Sequence, residues 1–284
     1  MFHPLLIIKI IIILVATAIA AYTDHKTSYI YNWLTFPLIV IGLILTALES
    51  FVLTNPLGYI YFLKVISIAI IIYLLGYIFY YFGKLGGGDI KIFIGIHLVL
   101  PYYASQLTIL WLLIFSSLLA VMFVSLKYLI KLYTILKWKA WKKILLKKKF
   151  QIFKVIILFV AFVFVIGYSI KTLQLPKLYF LLLVPIILGL KTMIFEEEIR
   201  KHIYLKRKEI KDLEDGDVLA IDFIPKAMLL KLNLGKREVL EEKDIIKIKK
   251  LNLKTLPIYD NLPRFGPFIL LGMIVFLVVG KYLL

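Results

Sequence analysis

Seven apolar runs divide this chain, each long enough to cross about 30 Å of hydrocarbon as a helix: Leu5–Tyr22, Leu34–Leu53, Tyr59–Phe82, Leu107–Leu126, Phe150–Ile170, Leu178–Phe195 and Phe265–Leu284. With no water in the bilayer core, every backbone N–H and C=O there needs a partner within the chain, and a continuous apolar run meets that demand as a helix. Hydrophobic residues make up 62% of the sequence and mean hydropathy is +0.95, which excludes a soluble enzyme. No small-residue cleavage site precedes the loop at Asp24, so the first run reads as a retained helix rather than a secretory signal.

An eighth run, Ile90–Leu100, stops at Pro101 and is too short for a standard span. It either crosses as a tilted helix extended into Pro101-Tyr102-Tyr103 or is re-entrant. Charge separates the two. Lys127–Lys149 is dense in lysine, whereas the loops around Asn55 and Tyr103 hold no Lys or Arg. A crossing puts the Asp24 loop, the Asp89 loop, Lys127–Lys149 and Glu196–Arg264 on one side, which the positive-inside rule makes cytoplasmic; re-entry would put the lysine-rich segment outside. The expected fold is therefore an all-α polytopic membrane protein, a bundle of about eight transmembrane helices, with a small mixed cytoplasmic insert before the last helix. It divides into a membrane core (1–126), a basic cytoplasmic segment (127–149), further transmembrane helices (150–195), the soluble insert (196–264) and the C-terminal helix (265–284).

Within the insert, Glu196-Glu197-Glu198 through Lys211 reads as a helix with its acids at the positive end of the dipole. Asp215-Gly216-Asp217 predicts a turn before a strand at Val218-Leu219-Ala220-Ile221. Glu241–Leu251 is compatible with helix or strand.

The chain has no cysteine, and His3, His25, His97 and His202 are scattered singly, so no metal site or cofactor is expected. A formal charge of +18, with the lysines beside apolar runs, points to topology and anionic membrane lipid rather than nucleic acid. The acids are more telling. Asp24 follows the first run and Asp89 opens the eighth, both at cytoplasmic boundaries. Two carboxylates sharing a proton are the working parts of an aspartic protease, one activating water while the other protonates the scissile carbonyl or leaving amine. Asp89 is expected to cap its helix or be its first residue, and Asp24 to lie just beyond the end of its own. Gly86, Gly87 and Gly88 offer positive φ and close approach of a peptide backbone, and Lys91 is a candidate partner for either aspartate. Each feature alone is an ordinary cap or turn; their shared side and the scarcity of acids in the spans favour chemistry. Asp215 and Asp217 are read as turn formers, and Glu49 as reaching the outer interface. Pro263 and Pro267 bracket the start of the last helix, and Trp33, Trp138 and Trp141 are interface anchors.

Gly86-Gly87-Gly88-Asp89 resembles the GxGD signature of membrane aspartic proteases, and Ile90-Lys91 narrows the likeness to the type IV prepilin peptidases and their archaeal preflagellin peptidase relatives. Asp24 through Thr35 is similar to that family's first catalytic Asp and its Ile-Pro-Asn-x-Leu-Thr element, with Tyr31 at the proline position. The resemblance covers Leu5 to about Leu126; Asp215-Gly216-Asp217 and Leu262–Pro267 resemble the longer archaeal members. It implies that Asp24 and Asp89 are catalytic, without a metal, and remove the short basic leader of prepilins or archaellins at the cytoplasmic membrane face. Bacterial relatives often add a four-cysteine zinc element and N-methyltransferase activity; with no cysteine here, neither is expected. Glu196, Glu197 and Glu198 would then guide the basic leader. A presenilin-like or signal-peptide-peptidase-like protease is the nearest alternative, but two runs separate the aspartates and no Pro-Ala-Leu follows. An ion-coupled transporter would place its acids nearer mid-membrane. The choice of pilin or archaellin, and the oligomeric state, stay open.

Overall fold

A computed structural model describes residues 4–53, 56–82, 85–136, 138–172, 182–232, 238–251, 254–260 and 262–280. In chain order they form α1 (Pro4–Thr27), α2 (Asn32–Ala47, extended by a π-helical turn at Leu48–Val52), α3 (Gly58–Tyr81) and α4 (Gly87–Val99). A two-stranded turn, β1 (Tyr102–Tyr103) with β2 (Gln106–Leu107), leads to α5 (Thr108–Ile135), α6 (Trp138–Lys147), α7 (Lys149–Thr172) and α8 (Leu183–Ile194). The remainder comprises α9 (Glu196–Ile199), β3 (Leu205–Glu209), β4 (Val218–Leu219), α10 (Lys226–Leu232), α11 (Glu242–Lys249), β5 (Thr255–Tyr259) and α12 (Gly266–Val279).

Among the described residues, five helices are long and apolar enough to cross a membrane: α1, α2 with its π-helical turn, α3, α5 and α7 over Lys149–Tyr168; α8 and α12 are shorter apolar helices. The chain is thus a mostly helical, multi-pass membrane protein with a small sheet region. The start of the run expected at Leu178, the Asn55 loop and residues 281–284 lie outside the described residues.

The shortness of α4 has a packing reason. Its 13 residues span about 20 Å, and Ile90, Ile92, Phe93 and Gly95 through Val99 are all buried. α4 packs between α2 and α3 and also touches α1 and α5. Sheathed by protein, it does not have to match the hydrocarbon thickness as a lipid-facing helix does. Small residues allow the approach: a Cβ added at Gly42 would lie 2.6 Å from the Leu98 Cβ, and one at Gly95 would lie 2.7 Å from Leu38. α12 packs against α1 and α5, and its Ile269, Met273 and Phe276 join Ile13, Ile96 and Leu112 in the principal core. By contrast, α7 buries nothing over Lys149–Tyr168.

The insert is built on an antiparallel sheet of order β3-β5-β4, with Leu205 opposite Tyr259 and Val218 also opposite Tyr259. Leu219, Leu240, Ile248 and Leu256 form its core. The helix expected from Glu196 through Lys211 ends at Tyr204, because Leu205–Glu209 pairs along its whole length with β5, and ladder pairing overrides local helical preference. Of the strand expected over Val218–Ile221 only Val218–Leu219 forms, since Ile221 already opens a 3-10 turn, and Glu241–Leu251 resolves as the helix Glu242–Lys249, with Asp244 accepting the Glu241 N–H at 3.2 Å.

Two interface readings are corrected. Glu49 does not reach outward: it pairs with Lys9, itself 3% exposed, and accepts the Tyr61 hydroxyl at 3.4 Å. Trp141 turns inward, its ring 4.4 Å from that of Phe195. Trp33 is exposed, as an interface anchor should be, and the Trp138 side chain lies outside the described residues.

Candidate active site

Asp24 lies in the last turn of α1, not beyond it. The helix continues to Thr27, whose hydroxyl donates to Thr23 O at 2.8 Å, and ends at Ser28, which takes a left-handed φ of 61° and donates its N–H to Asp24 O. The Asp24 side chain is only 7% exposed. Its Oδ2 accepts the Gly266 N–H at 2.7 Å. Only glycine fits there: a Cβ at 266 would lie 2.8 Å from the Asp24 Cβ and 3.1 Å from Ala20 O.

Asp89 is the third residue of α4 rather than its first or its cap, and its Oδ2 reaches back to accept the Gly86 N–H at 3.1 Å. That position keeps the carboxylate at the positive end of the helix dipole. The three glycines before it do not use positive φ; Gly86 has φ −75° and the next two are helical. Gly88 instead provides contact, since a Cβ there would come within 2.8 Å of both the Cβ and the carbonyl oxygen of Ile30. The N-terminus of α4 therefore seats directly on the connection between α1 and α2. This seat brings Asp89 close enough to Asp24 for the charge of one carboxylate to act on the other. The Phe93 and Phe265 rings, 6.1 Å apart and edge to face, join α4 to the start of α12 beside them.

Lys91 pairs with neither aspartate. Its Nζ donates to Asn32 Oδ1 at 2.7 Å and lies 5.1 Å from the Phe36 ring centre, tying α4 to the first turn of α2. The acidic cluster is also occupied. Glu196 bridges Arg200, which also holds Asp222, while Glu197 and Glu198 both face Lys148. Asp217 pairs with Lys208 at 2.9 Å and accepts the Glu214 N–H at 2.8 Å, as a turn former would.

Two contacts escaped the sequence reading. One is the Gly266 N–H on Asp24; the other is the Tyr29 hydroxyl, which donates to Asp215 O at 3.1 Å and so anchors the insert to the loop that follows Asp24. Burial, and then the carboxylates of Glu214, Asp217 and Asp215, push the Tyr29 phenol above its ordinary pKa and keep it a donor. At Gly266 the sequence signal was Pro263 to Pro267, read only as the start of a helix. Among the described residues, no group of three His, Cys, Asp or Glu side chains could hold a metal ion.

Part of this chain resembles known proteins in sequence. Residues 11–125 match the model of the Peptidase_A24 family, the type IV leader peptidase family. The membrane core of this chain is thus similar to that family over those residues. A curated relative, the prepilin peptidase EppA of Methanothermobacter thermautotrophicus, is 33% identical over 99 residues, which is 35% of this chain and 25% of that protein. The alignment thus spans about a quarter of the relative's length. No solved structure matches significantly. Asp24, Gly88 and Asp89 fall inside the family match; Gly266 and the insert fall outside it.

Proposed function

We propose that this protein is a membrane aspartic endopeptidase that removes the short basic leader from prepilin or preflagellin (archaellin) precursors at the cytoplasmic face. The observation that carries this reading is the convergence of Asp24 and Asp89, two buried or half-buried carboxylates from different helices, at one end of the bundle. One carboxylate takes a proton from water as its oxygen attacks the scissile carbonyl; the other gives a proton to the carbonyl oxygen and then to the leaving amine. Gly86 and Gly88 support the dyad by seating Asp89, and Lys91 supports it by fixing α4 on α2 through Asn32.

In this reading α4, α8 and α12 also cross the membrane, giving eight spans with α1, α2, α3, α5 and α7. The catalytic core is 1–126, the basic segment 127–149 lies on the cytoplasmic leaflet against anionic lipid, 150–195 adds helices, and 196–264 is a cytoplasmic insert ahead of the last helix. The substrate's apolar helix packs laterally while its leader reaches the aspartates. Glu197, 73% exposed despite its partner Lys148, is the member of the acidic cluster best presented to a basic leader. The proposed activity is cleavage without methyl transfer.

The test is incubation of the purified full-length protein with a prepilin-like substrate. Asp24→Asn and Asp89→Asn, each folded as judged by thermal unfolding in detergent, are expected to lose cleavage by at least about a thousandfold. Retained cleavage in either variant refutes the dyad.

A further inference from the structure

The hydrogen bond that the structure gives Asp24 comes from a residue 242 positions away, on a helix outside the family match. Gly266 is the first residue of α12, and the first N–H groups of a helix have no partner within it. One of these orphan donors is spent on Asp24 Oδ2 at 2.7 Å. The contact is buried, so water does not compete for it.

A carboxylate at the end of a short side chain turns about two bonds, and a reaction that needs one oxygen beside water and the other beside substrate needs that rotation stopped. The start of α12 is built to stop it. The absent Cβ at 266 lets the two groups meet, and Pro267 fixes the next φ at a position where a missing N–H costs nothing. Farther along, α12 is itself held: Gly272 packs directly on the Ser116 backbone of α5, and Tyr103 donates its hydroxyl to Leu277 O at 3.2 Å. Phe265, meanwhile, packs on Phe93, one turn beyond Asp89. One segment thus touches both helices that carry the dyad.

We infer that Gly266 is a positioning residue for Asp24, that Phe265–Pro267 forms a third wall of the active site, and that cleavage depends on the C-terminal helix as well as the family core. This rests on the protease reading above.

The test replaces Gly266 in the full chain by glycolic acid, so that an ester oxygen takes the place of the N–H without adding an atom. The same exchange at Leu271, by its hydroxy-acid analogue, removes a main-chain N–H from the middle of α12 as a control. Loss of a donor to a carboxylate disfavours its ionised form. The 266 ester is therefore expected to lower kcat by about 10- to 100-fold with KM within about twofold of wild type, and to move the acid limb of the pH profile to higher pH; the 271 ester leaves both in place. Gly266→Ala, which keeps the N–H but crowds Asp24, serves as a second variant and is expected to lose kcat without that shift of the acid limb. Wild-type kcat and pH profile in the 266 ester, beside dead Asp24→Asn and Asp89→Asn variants, overturns the positioning role and leaves the protease reading standing. Equal losses in the 266 and 271 esters, with no pH shift, overturn it too by reducing the effect to helix stability. If the unmodified protein itself cleaves nothing, the protease reading falls, and this inference with it.

Discussion

At the scale of single residues, Gly87 and Gly88 separate two uses of the same side-chain absence. A Cβ at Gly88 would meet the Ile30 carbonyl oxygen and Cβ at 2.8 Å, and backbone cannot yield as a flexible side-chain tip can. At Gly87 the nearest atom to such a Cβ is the Tyr80 ring at 3.7 Å, ordinary contact. In the GxGD pattern the middle position is the free one, and here that freedom coincides with the room beside Gly87. Gly88→Ala should therefore push α4 off its seat, costing about 1–3 kcal/mol of stability and lowering kcat by about 100-fold as Asp89 leaves its place. Gly87→Ala should change stability by less than about 0.5 kcal/mol and keep full cleavage. Thermal unfolding in detergent beside a cleavage assay reads both, and equal behaviour of the two variants would show that the Ile30 contact does not set the site. The glycines were read as clearance for a substrate backbone, whereas the backbone that Gly88 meets is the protein's own loop after Asp24, which no local pattern identifies.

Between elements, the Lys9–Glu49 pair tests how α1 and α2 are held at the end of the bundle away from the aspartates. Lys9 is 3% exposed and Glu49 17%, and the pair borders a cavity of about 350 Å³ that Tyr61 also lines. Removing one member strands a charge in an apolar setting, which costs about 3–5 kcal/mol, whereas replacing both by apolar residues of similar volume is often neutral. Lys9→Met and Glu49→Leu are thus expected to destabilise singly and to recover nearly wild-type unfolding temperature together; a double variant as unstable as the sum of the two would show that the charges act independently. Glu49 illustrates what periodicity conceals, because its position near the end of a run fits snorkelling to the interface as well as pairing inward. Leu205–Glu209 makes the same point, since its strand exists only because β5 returns beside it. The long spans, by contrast, were legible because lipid leaves an apolar run one stable form.

For the whole molecule, the two aspartates stood out as candidates because each carries its own local context, an apolar run ending at Asp24 and a glycine run opening before Asp89. The donor to Asp24 did not, because it is a backbone N–H, that of Gly266, from the far end of the chain, where side-chain identity reports only a helix start. What joins these parts is topology. The seat of α4 on the loop after Asp24 and the anchorage of the insert through Tyr29 both require that the Asp24 loop, the start of α4 and the insert share one face. The absence of cysteine makes this directly measurable, since any single introduced thiol is the only one in the protein. Lys26→Cys, Lys143→Cys and Glu242→Cys place thiols on exposed or partly exposed residues of the Asp24 loop, the basic helix and the insert, while Ser105→Cys places one at the exposed turn after α4. In sealed vesicles of known orientation, a membrane-impermeant maleimide should label the first three from the cytoplasmic side only and Ser105→Cys from the opposite side only. Labelling of Ser105→Cys from the cytoplasmic side would make α4 re-entrant. If Lys143→Cys then labelled from outside, the lysine-rich segment would violate the positive-inside rule. The eight-span arrangement fails on the first of those results alone, while the meeting of Asp24 and Asp89 survives it, because only α2 and α3 lie between them.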